Sequence, residues 1–219
     1  METNRASRVS GLPVSGRKSS AVLRNRKKIL LAAQEVLGEL GPDVQNDAIA
    51  ARAGVSVSTL YMHFTNRQEL VRAALLDALR TWERWVMSHF TSIEPSLENS
   101  VLPARLLMRI QETHPVYGRL LQSHLGSTGL LFDELSQGFS DSIRLLVQRG
   151  ELSDDQIEPR LAAMEGAVYG ILGRQLKNPD ATAEEADLAL ELALPILGIA
   201  PDKARQLTHS PLPNLSARI

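Results

Sequence analysis

The chain has 219 residues, 43% of them hydrophobic and 22% charged, which is enough for one large or two modest domains with a buried core. It contains no cysteine, so disulfides, thiolate zinc sites and cysteine nucleophiles are excluded. Charge or glycine interrupts every apolar run well before about 18 residues, and the first residues lack the apolar core of a signal peptide. We therefore expect a cytoplasmic protein without a membrane span.

The charge is unevenly distributed along the chain. Residues 1–72 carry 11 Lys/Arg and 6 Asp/Glu, a net of 11 − 6 = +5, and the remainder carries 13 and 19, a net of −6. A basic first third on an acidic remainder is typical of a nucleic-acid-binding head attached to an unrelated body. A solvated basic tail would give the same totals.

The first two helices follow a basic segment. Residues 1–20 combine Ser, Gly, Pro and Arg without apolar periodicity, and we interpret them as a flexible basic arm. Apolar residues at helical spacing predict a helix over 21–40, which a Gly-Pro pair ends. Asn46 or Asp47 can cap a short second helix over 48–53.

The next two helices begin at recognisable caps. Ser56 is a natural N-cap for a third helix that runs to about Phe64. Asn66 caps a long fourth helix, and Glu69 at its third position predicts a capping box. The apolar spacing extends this helix to about Phe90.

The remaining chain is also predicted to be helical, since it shows neither strand-like alternation nor hairpin dipeptides. Pro103 is expected to be a kink or boundary inside the first of five further helical segments. These are 96–113, 115–124, 128–149, 156–176 and 183–197. The fold class is therefore all-α.

The stretch 49–64 has the spacing of a helix-turn-helix. Ala50 is small enough to let two helices approach, and Gly54, four positions later, tolerates the positive φ of the turn. Four apolar residues are spaced to seat the second helix on the first: Ile49, Val55, Leu60 and Phe64.

The opposite face of the third helix is short, polar and aromatic. Such side chains suit a helix lying in a major groove about 12 Å wide. An αα-hairpin in an ordinary bundle would share the small-residue spacing, but the Tyr-x-His pair and the basic neighbourhood favour DNA. The face consists of Val57, Ser58, Tyr61 and Met62, flanked by Thr59 and His63.

Over about residues 22–75, the chain closely resembles the DNA-binding domain of the TetR family of bacterial repressors. The resemblance lies in Arg26, Ile29-Leu30, Ala32-Ala33, Val36-Leu37, Gly41, Ile49-Ala50, Ala53-Gly54-Val55-Ser56, Thr59-Leu60-Tyr61, His63-Phe64 and Leu70. It implies an all-α protein with an N-terminal three-helix DNA-binding domain and a helical body that binds an effector and dimerises. The corresponding ranges are a basic arm over 1–20, a helix-turn-helix domain over 21–66, a body over 67–200 and a C-terminal tail over 201–219.

The resemblance also implies which residues contact the operator. The expected contacts on the third helix are Ser56, Ser58, Thr59, Tyr61 and His63. Tyr61 and His63 would mostly touch phosphates, whereas Val57, Ser58 and Met62 are better placed for bases. Arg67, at the start of the fourth helix, would bind phosphate with help from the positive helix end.

Two stretches depart from the family pattern. The second helix opens on Val44-Gln45-Asn46-Asp47 in place of the usual Thr and apolar residue, so either Gln45 or Asn46 takes the capping and phosphate role. Ser58 stands where glycine is common. Before the motif, the basic segment either reaches the minor groove or only solubilises the chain, and its expected DNA contacts are Arg24, Arg26 and Lys28.

A family member of this size usually encloses a ligand cavity among its fourth to eighth helices, so we expect a small, largely apolar effector of unknown identity. The candidate lining residues are the larger side chains of the body, although ordinary core packing uses the same residue types. They are Trp82, Trp85, Met108, Tyr117, Phe132, Phe139, Met164 and Tyr169.

The last two long helices carry the candidate dimer interface. Glycine inside a helix costs about 1 kcal/mol relative to alanine, so three glycines on one face indicate close helix–helix approach. By resemblance these helices form a four-helix interface with a second copy, although packing within one chain would explain the same pattern. The interface residues would be Gly166, Gly170, Gly173, Leu188, Leu192 and Ile196.

We therefore expect a homodimeric repressor that binds a near-palindromic double-stranded operator and is released by a small molecule, with no cofactor and no metal. His89, His114 and His124 lack metal-ligand spacing. The alternatives are an all-α enzyme and an effector-free architectural DNA-binding protein. We find neither paired catalytic carboxylates nor a phosphate-binding glycine loop, and the large acidic body disfavours an architectural role.

Overall fold

A computed structural model describes residues 15–90, 94–124 and 129–215, and the side chains of all of these except 15–19 and 129–135. The described residues form eleven α-helices and a short 3₁₀ helix, and no strand occurs among them. The helices are α1 Ser15–Leu40, α2 Asn46–Ala53, α3 Val57–His63, α4 Arg67–Met87, α5 Leu97–Leu107, α6 Ile110–Thr113, α7 Pro115–Ser123, α8 Gly129–Gln148, α9 Ile157–Lys177, α10 Ala183–Ala193 and α11 Pro201–His209. The 3₁₀ helix Leu194–Leu197 follows α10. The prediction of an all-α fold is confirmed.

Side-chain caps begin the helices where the sequence indicated. The Ser56 hydroxyl accepts from the Thr59 amide at 3.1 Å, and the Asn66 side chain accepts from the Glu69 amide at 2.8 Å. The predicted capping box is shifted by one residue, because the Glu69 carboxylate accepts from the amide of Thr65 rather than from that of Asn66. These bonds satisfy amide groups that a helix start leaves without an intrahelical acceptor.

Three predicted boundaries were wrong. Helix α1 begins at Ser15, so the end of the expected arm 1–20 is helical, and residues 1–14 of the arm lie outside the described structure. The expected segment 96–113 is broken near Arg109, whose backbone (φ −104°, ψ 13°) leaves the helical region, whereas Pro103 lies inside α5.

The expected tail over 201–219 is not a tail in its first part. Residues 201–209 form α11, which begins on a proline and buries Ala204 and Leu207. Proline is well suited to the first helical turn, because its missing amide hydrogen would have no acceptor there. Residues 216–219 lie outside the described part of the chain.

The N-terminal helices are joined to the body through α1. The buried amide of Gln34 donates to the Ala74 carbonyl at 3.1 Å and to Asp77 Oδ2 at 2.9 Å, which links α1 to α4. Gly38 lies so close to α7 that an added Cβ would sit 3.0 Å from the Val116 carbonyl oxygen. The glycine therefore permits a direct backbone contact between α1 and α7.

A buried ion cluster joins the C-terminal helices. The Asp187 carboxylate on α10 accepts from Arg105 on α5 at 3.0 and 3.1 Å and from Arg109 at 3.1 and 2.6 Å. All three residues are buried. Arg105 Nη1 also donates to the carbonyls of Leu207 and Ser210 at 3.3 and 2.8 Å, so the same cation holds the C-terminal end of α11.

The cluster sets the charge state of the carboxylate. Burial raises the pKa of Asp187, but hydrogen bonds and charges from Arg109 and Arg105 outweigh that effect and hold the pKa below its usual value. Because the pKa is depressed in the folded state, the stabilisation is present above the unfolded pKa of about 4 and is lost as the pH falls through the folded value.

We predict that Asp187→Asn lowers the free energy of unfolding by about 3–5 kcal/mol at neutral pH, because it leaves two buried guanidinium groups without a counter-charge. The measurement is urea denaturation, and the control is Asp141→Asn, the same change in an exposed ion pair, expected to cost at most about 1 kcal/mol. The difference between wild type and Asp187→Asn should shrink below about pH 4. Equal losses in the free energy of unfolding for the two variants would contradict the role of Asp187 in the buried ion cluster.

Candidate DNA-binding surface

The turn between α2 and α3 is formed as the glycine spacing predicts. Gly54 has φ 68° and ψ 36°, in the left-handed region. Its amide donates to the Ala51 carbonyl at 3.1 Å, and the Val55 amide donates to the Ala50 carbonyl at 3.0 Å. A residue with a Cβ would be strained at this φ, so glycine permits the sharp exit from α2.

One face of α3 is fixed by packing. Ile49, Leu60 and Phe64 are at most 1% exposed, and Val55 is half-buried against the same core. The guanidinium carbon of Arg26 lies 4.8 Å from the centroid of the Phe64 ring, a cation–π contact. Arg26, which is expected to contact DNA, therefore also packs against Phe64 at the end of α3.

The other face of α3 is open to solvent. Met62 is 84% exposed, Tyr61 49% and Val57 40%. Ser58 is exposed, whereas Thr59 and His63 are half-buried. The predicted reading residues therefore lie on an accessible surface, and Met62 is the most prominent of them.

The hydroxyls at the start of α3 form their own cluster. Oγ of Ser56 lies 2.8 Å from the hydroxyl oxygens of both Ser58 and Thr59, in addition to capping the helix. The Ser56 hydroxyl is thus already hydrogen-bonded within the helix-turn-helix. Ser58 is exposed like Ser56 but does not cap the helix, so it can offer a hydroxyl to a base edge.

A polar network links the entry of α2 to α3 and α4. Asn46 Nδ2 donates to the Tyr61 hydroxyl at 3.0 Å, and Arg67 Nη1 donates to Asn46 Oδ1 at 2.7 Å. Arg67 Nη2 donates to the Pro42 carbonyl. Arg67 and Tyr61, both expected to touch phosphates, therefore hold the motif together in this structure.

This network explains the role of the atypical segment 44–47 at the start of α2. Gln45 occupies the N-cap position of α2, but its side chain does not cap the helix and makes only a 3.4 Å contact with the Asp43 carbonyl. Asn46 instead contributes its amide to the network. Sequence reasoning missed the network because its partners are 15 to 25 residues apart. Arg24 and Lys28 are exposed on α1.

The body contains a cleft of about 870 Å³. Of the candidate lining residues, Trp82, Phe139 and Tyr169 line it. The side chain of Phe132 lies outside the described part of the chain.

The other four candidates are packed elsewhere. Trp85 lies against the rings of His89 and His114, with centroids 4.5 and 4.7 Å away. Tyr117 stacks on His114 at 5.4 Å and lines a separate cavity of about 10 Å³. Met108 and Met164 are buried core residues outside the described cleft lining. Core packing accounts for these side chains, because apolar pockets and cores use the same residue types.

Sequence reasoning missed one wall of the cleft. Helix α5 contributes it along i, i+4 spacing, with Asn99, Pro103 and Leu107 on one face. On α4, Trp82 and Val86 repeat the same spacing. The i, i+4 spacing would have identified these helix faces as inward-facing. It would not have shown that they enclose a cleft.

The candidate dimer surface is exposed. Leu188 is 51% and Leu192 is 73% exposed. A Cβ added at Gly166, Gly170 or Gly173 would meet no atom within 4 Å among the described residues, so these glycines do not serve close packing there. Ile196 differs, since it is half-buried against the core.

Comparison with known proteins gives relatives of one kind. The model for the family described as "Bacterial regulatory proteins, tetR family" matches residues 29–74. The chain is 24% identical over 181 residues to HTH-type transcriptional regulator SrpR of Pseudomonas putida, which covers 75% of this chain and 81% of that protein. It is 26% identical over 123 residues to the uncharacterized HTH-type transcriptional regulator TtgW, also of Pseudomonas putida, covering 49% and 92%.

Solved structures share the architecture. RolR in complex with its ligand resorcinol matches with a TM-score of 0.71 and 18% identity, covering 90% of this chain and 100% of that one. A gamma-butyrolactone receptor described as ArpA-like matches with a TM-score of 0.56 and 20% identity, covering 87% and 100%. These likenesses show a common fold. No helix in the described ranges is long and apolar enough to cross a membrane.

We predict that Met62→Ala changes which DNA sequences bind, by about 1 kcal/mol at the contacted base pair, with little loss of stability. Arg67→Ala should instead weaken binding to all sequences and also destabilise the head, because the network loses two hydrogen bonds. Selection from a random DNA pool, combined with thermal unfolding, separates the two effects. The control is Met87→Ala, an exposed methionine on α4. An unchanged sequence preference for Met62→Ala would contradict the base-reading role.

Proposed function

We propose that this chain, a DNA-binding transcriptional regulator of the TetR family of bacterial regulatory proteins, acts as a homodimeric repressor. In this proposal, two α3 helices read a near-palindromic operator, and a small, largely apolar molecule in the cleft releases them. The observation that carries the proposal is that one helix, α4, is shared by the head and the cleft.

The head supplies the operator contacts. Val57, Ser58 and Met62 would read base edges, since they are exposed on the outer face of α3. The other residues expected to contact the sugar-phosphate backbone or the bases of the operator are Arg24, Arg26, Lys28, Gln45, Asn46, Ser56, Thr59, Tyr61, His63 and Arg67. Phosphate contacts by the basic residues would hold the register and add affinity that falls with salt.

The cleft supplies the effector site. Its aromatic and aliphatic lining favours an apolar ligand, and its volume of about 870 Å³ falls within the range of small-molecule pockets. RolR, which shares the fold, binds resorcinol, and another protein of this fold is a gamma-butyrolactone receptor. We infer that a small molecule also fills this cleft.

Helix α4 would transmit the signal. Arg67, at its first position, donates to Asn46 and Pro42 beside the recognition helix. Trp82 and Val86 line the cleft on the same helix. About 22 Å of continuous helix joins Arg67 to Trp82. Release requires that the ligand bind the DNA-incompetent arrangement more tightly than the competent one.

The domain division follows from these roles. We propose a DNA-binding head over 21–66 and an effector-binding and dimerisation body from 67 onward. The body continues past 200 to include α11, because Arg105 holds the end of that helix.

A mobility-shift titration tests the proposal. The purified chain is titrated against the DNA upstream of its own reading frame, with a shuffled fragment of equal composition as the control, over a series of salt concentrations. We expect binding to the upstream fragment to be about a thousandfold or more tighter than to the shuffled one at physiological salt. Equal affinity for both fragments would overturn the operator-binding role and favour an architectural one.

The dimer surface gives a separate prediction. We expect the double variant Leu188→Glu and Leu192→Glu to sediment as a monomer and to lose operator affinity, because charged side chains would be buried at the interface. The control is Leu40→Glu, a 64% exposed leucine on α1, which should remain dimeric by sedimentation. A double variant that stays dimeric would place the interface elsewhere.

A further inference from the structure

The cleft combines aromatic walls with an acidic lining. Rings of Trp82, Phe90, Phe139 and Tyr169 line it. Four carboxylic side chains also line it, whereas no lysine, arginine or histidine belongs to its described lining: Glu83, Glu94, Asp141 and Glu165. Aromatic faces and carboxylates both attract cations, so this lining is selective for charge as well as for shape.

Glu165 lines the cleft, and no lysine or arginine lies in an ion pair with it among the described residues. Glu94 is paired with Arg149 at 3.2 Å, and Asp141 is paired with Arg144 at 3.2 Å. The half-buried Glu165 accepts a hydrogen bond from Ser140 at 2.8 Å, but no lysine or arginine of the described ranges pairs with it. A carboxylate in partly apolar surroundings is best compensated by an opposite charge, which a ligand can supply.

Trp82 lines both the cleft and the cavity of about 10 Å³. Its side chain is 3% exposed and lines the cleft. Its indole nitrogen has no hydrogen-bond acceptor among the described residues. A buried indole N–H usually finds a partner, so this wall of the cleft carries an unsatisfied donor.

We propose that the effector is an amphiphilic organic cation whose charged nitrogen lies beside Glu165 and whose apolar body lies against the aromatic rings. The same lining opposes organic anions, because the half-buried carboxylate repels them and no described lining residue offers a positive charge. This inference rests on the proposed function for its regulatory meaning, while the binding itself is independent of DNA.

Two probes of equal shape and opposite charge test the selectivity. Tetraphenylphosphonium and tetraphenylborate are titrated into the full chain by calorimetry in sodium buffer, which keeps the borate soluble. We expect the phosphonium ion to bind at least about tenfold more tightly than the borate. Equal affinities, tighter binding of the borate, or no binding of the phosphonium ion would each overturn the proposal.

Matched variants locate the charge. Glu165→Gln keeps the shape and the acceptor for Ser140, and should weaken phosphonium binding by about tenfold. The control Glu158→Gln makes the same change on the same helix, at an exposed residue paired with Arg144, and should stay within about twofold of wild type. Circular dichroism verifies that both variants are folded. Unchanged phosphonium affinity in Glu165→Gln would overturn the role of Glu165.

A mobility shift on the upstream DNA separates this inference from the proposed function. If the chain binds its operator but does not favour the cation, the repressor role stands and the proposal of a cationic effector is wrong. If the chain favours the cation through Glu165 but does not bind DNA selectively, the cation site stands and the repressor role is wrong. Cation binding that lowers operator affinity supports both.

Discussion

One carboxylate shared by two guanidinium groups fixes the arrangement of the body. A buried charge that loses its partner costs several kcal/mol, so α5 and α10 have one favourable register, the one that places Arg105 and Arg109 around Asp187. Helix α5 then forms a wall of the cleft, and α10 exposes Leu188 beside the ion cluster. The third partner is the end of α11, whose carbonyls accept from Arg105. The cleft and the candidate oligomer surface thus depend on the same electrostatic constraint.

The head is held to this body by short-range contacts. Gln34 joins α1 to α4 through a buried amide, and Gly38 allows the backbone of α1 to lie against α7. Arg119 of α7 also donates to the Gly38 carbonyl at 3.2 Å. Because interiors are close-packed and resist continuous deformation, a shift of α4 at the cleft must move the head with it or break these contacts.

Local signals in the sequence predicted most of the helices but not the contacts between them. Ser56 and Asn66 could be assigned as caps because capping depends on residues three positions apart. Asp187 lies 82 residues from Arg105, and Asn46 lies 21 from Arg67, so no pattern connects them. Helix α11 was missed because a Ser- and Pro-rich stretch follows it, although Pro201 and the spacing of Ala204 and Leu207 would have indicated a helix. The cleft was only partly predicted, since Trp82 and Trp85 look alike in sequence but face different surroundings.

Apart from Tyr61, which accepts a hydrogen bond from Asn46, the outer face of α3 contributes little to holding the molecule together. Met62 is 84% exposed, and the packing of α3 relies instead on Leu60 and on Phe64 at its end. Surface substitutions away from packed or hydrogen-bonded groups usually change stability by less than about 0.5 kcal/mol. The residues that would choose a DNA sequence can therefore vary with little penalty to folding, while those that hold the cleft cannot. Under the proposed function, descendants of such a chain can acquire new target genes while responding to the same chemical signal.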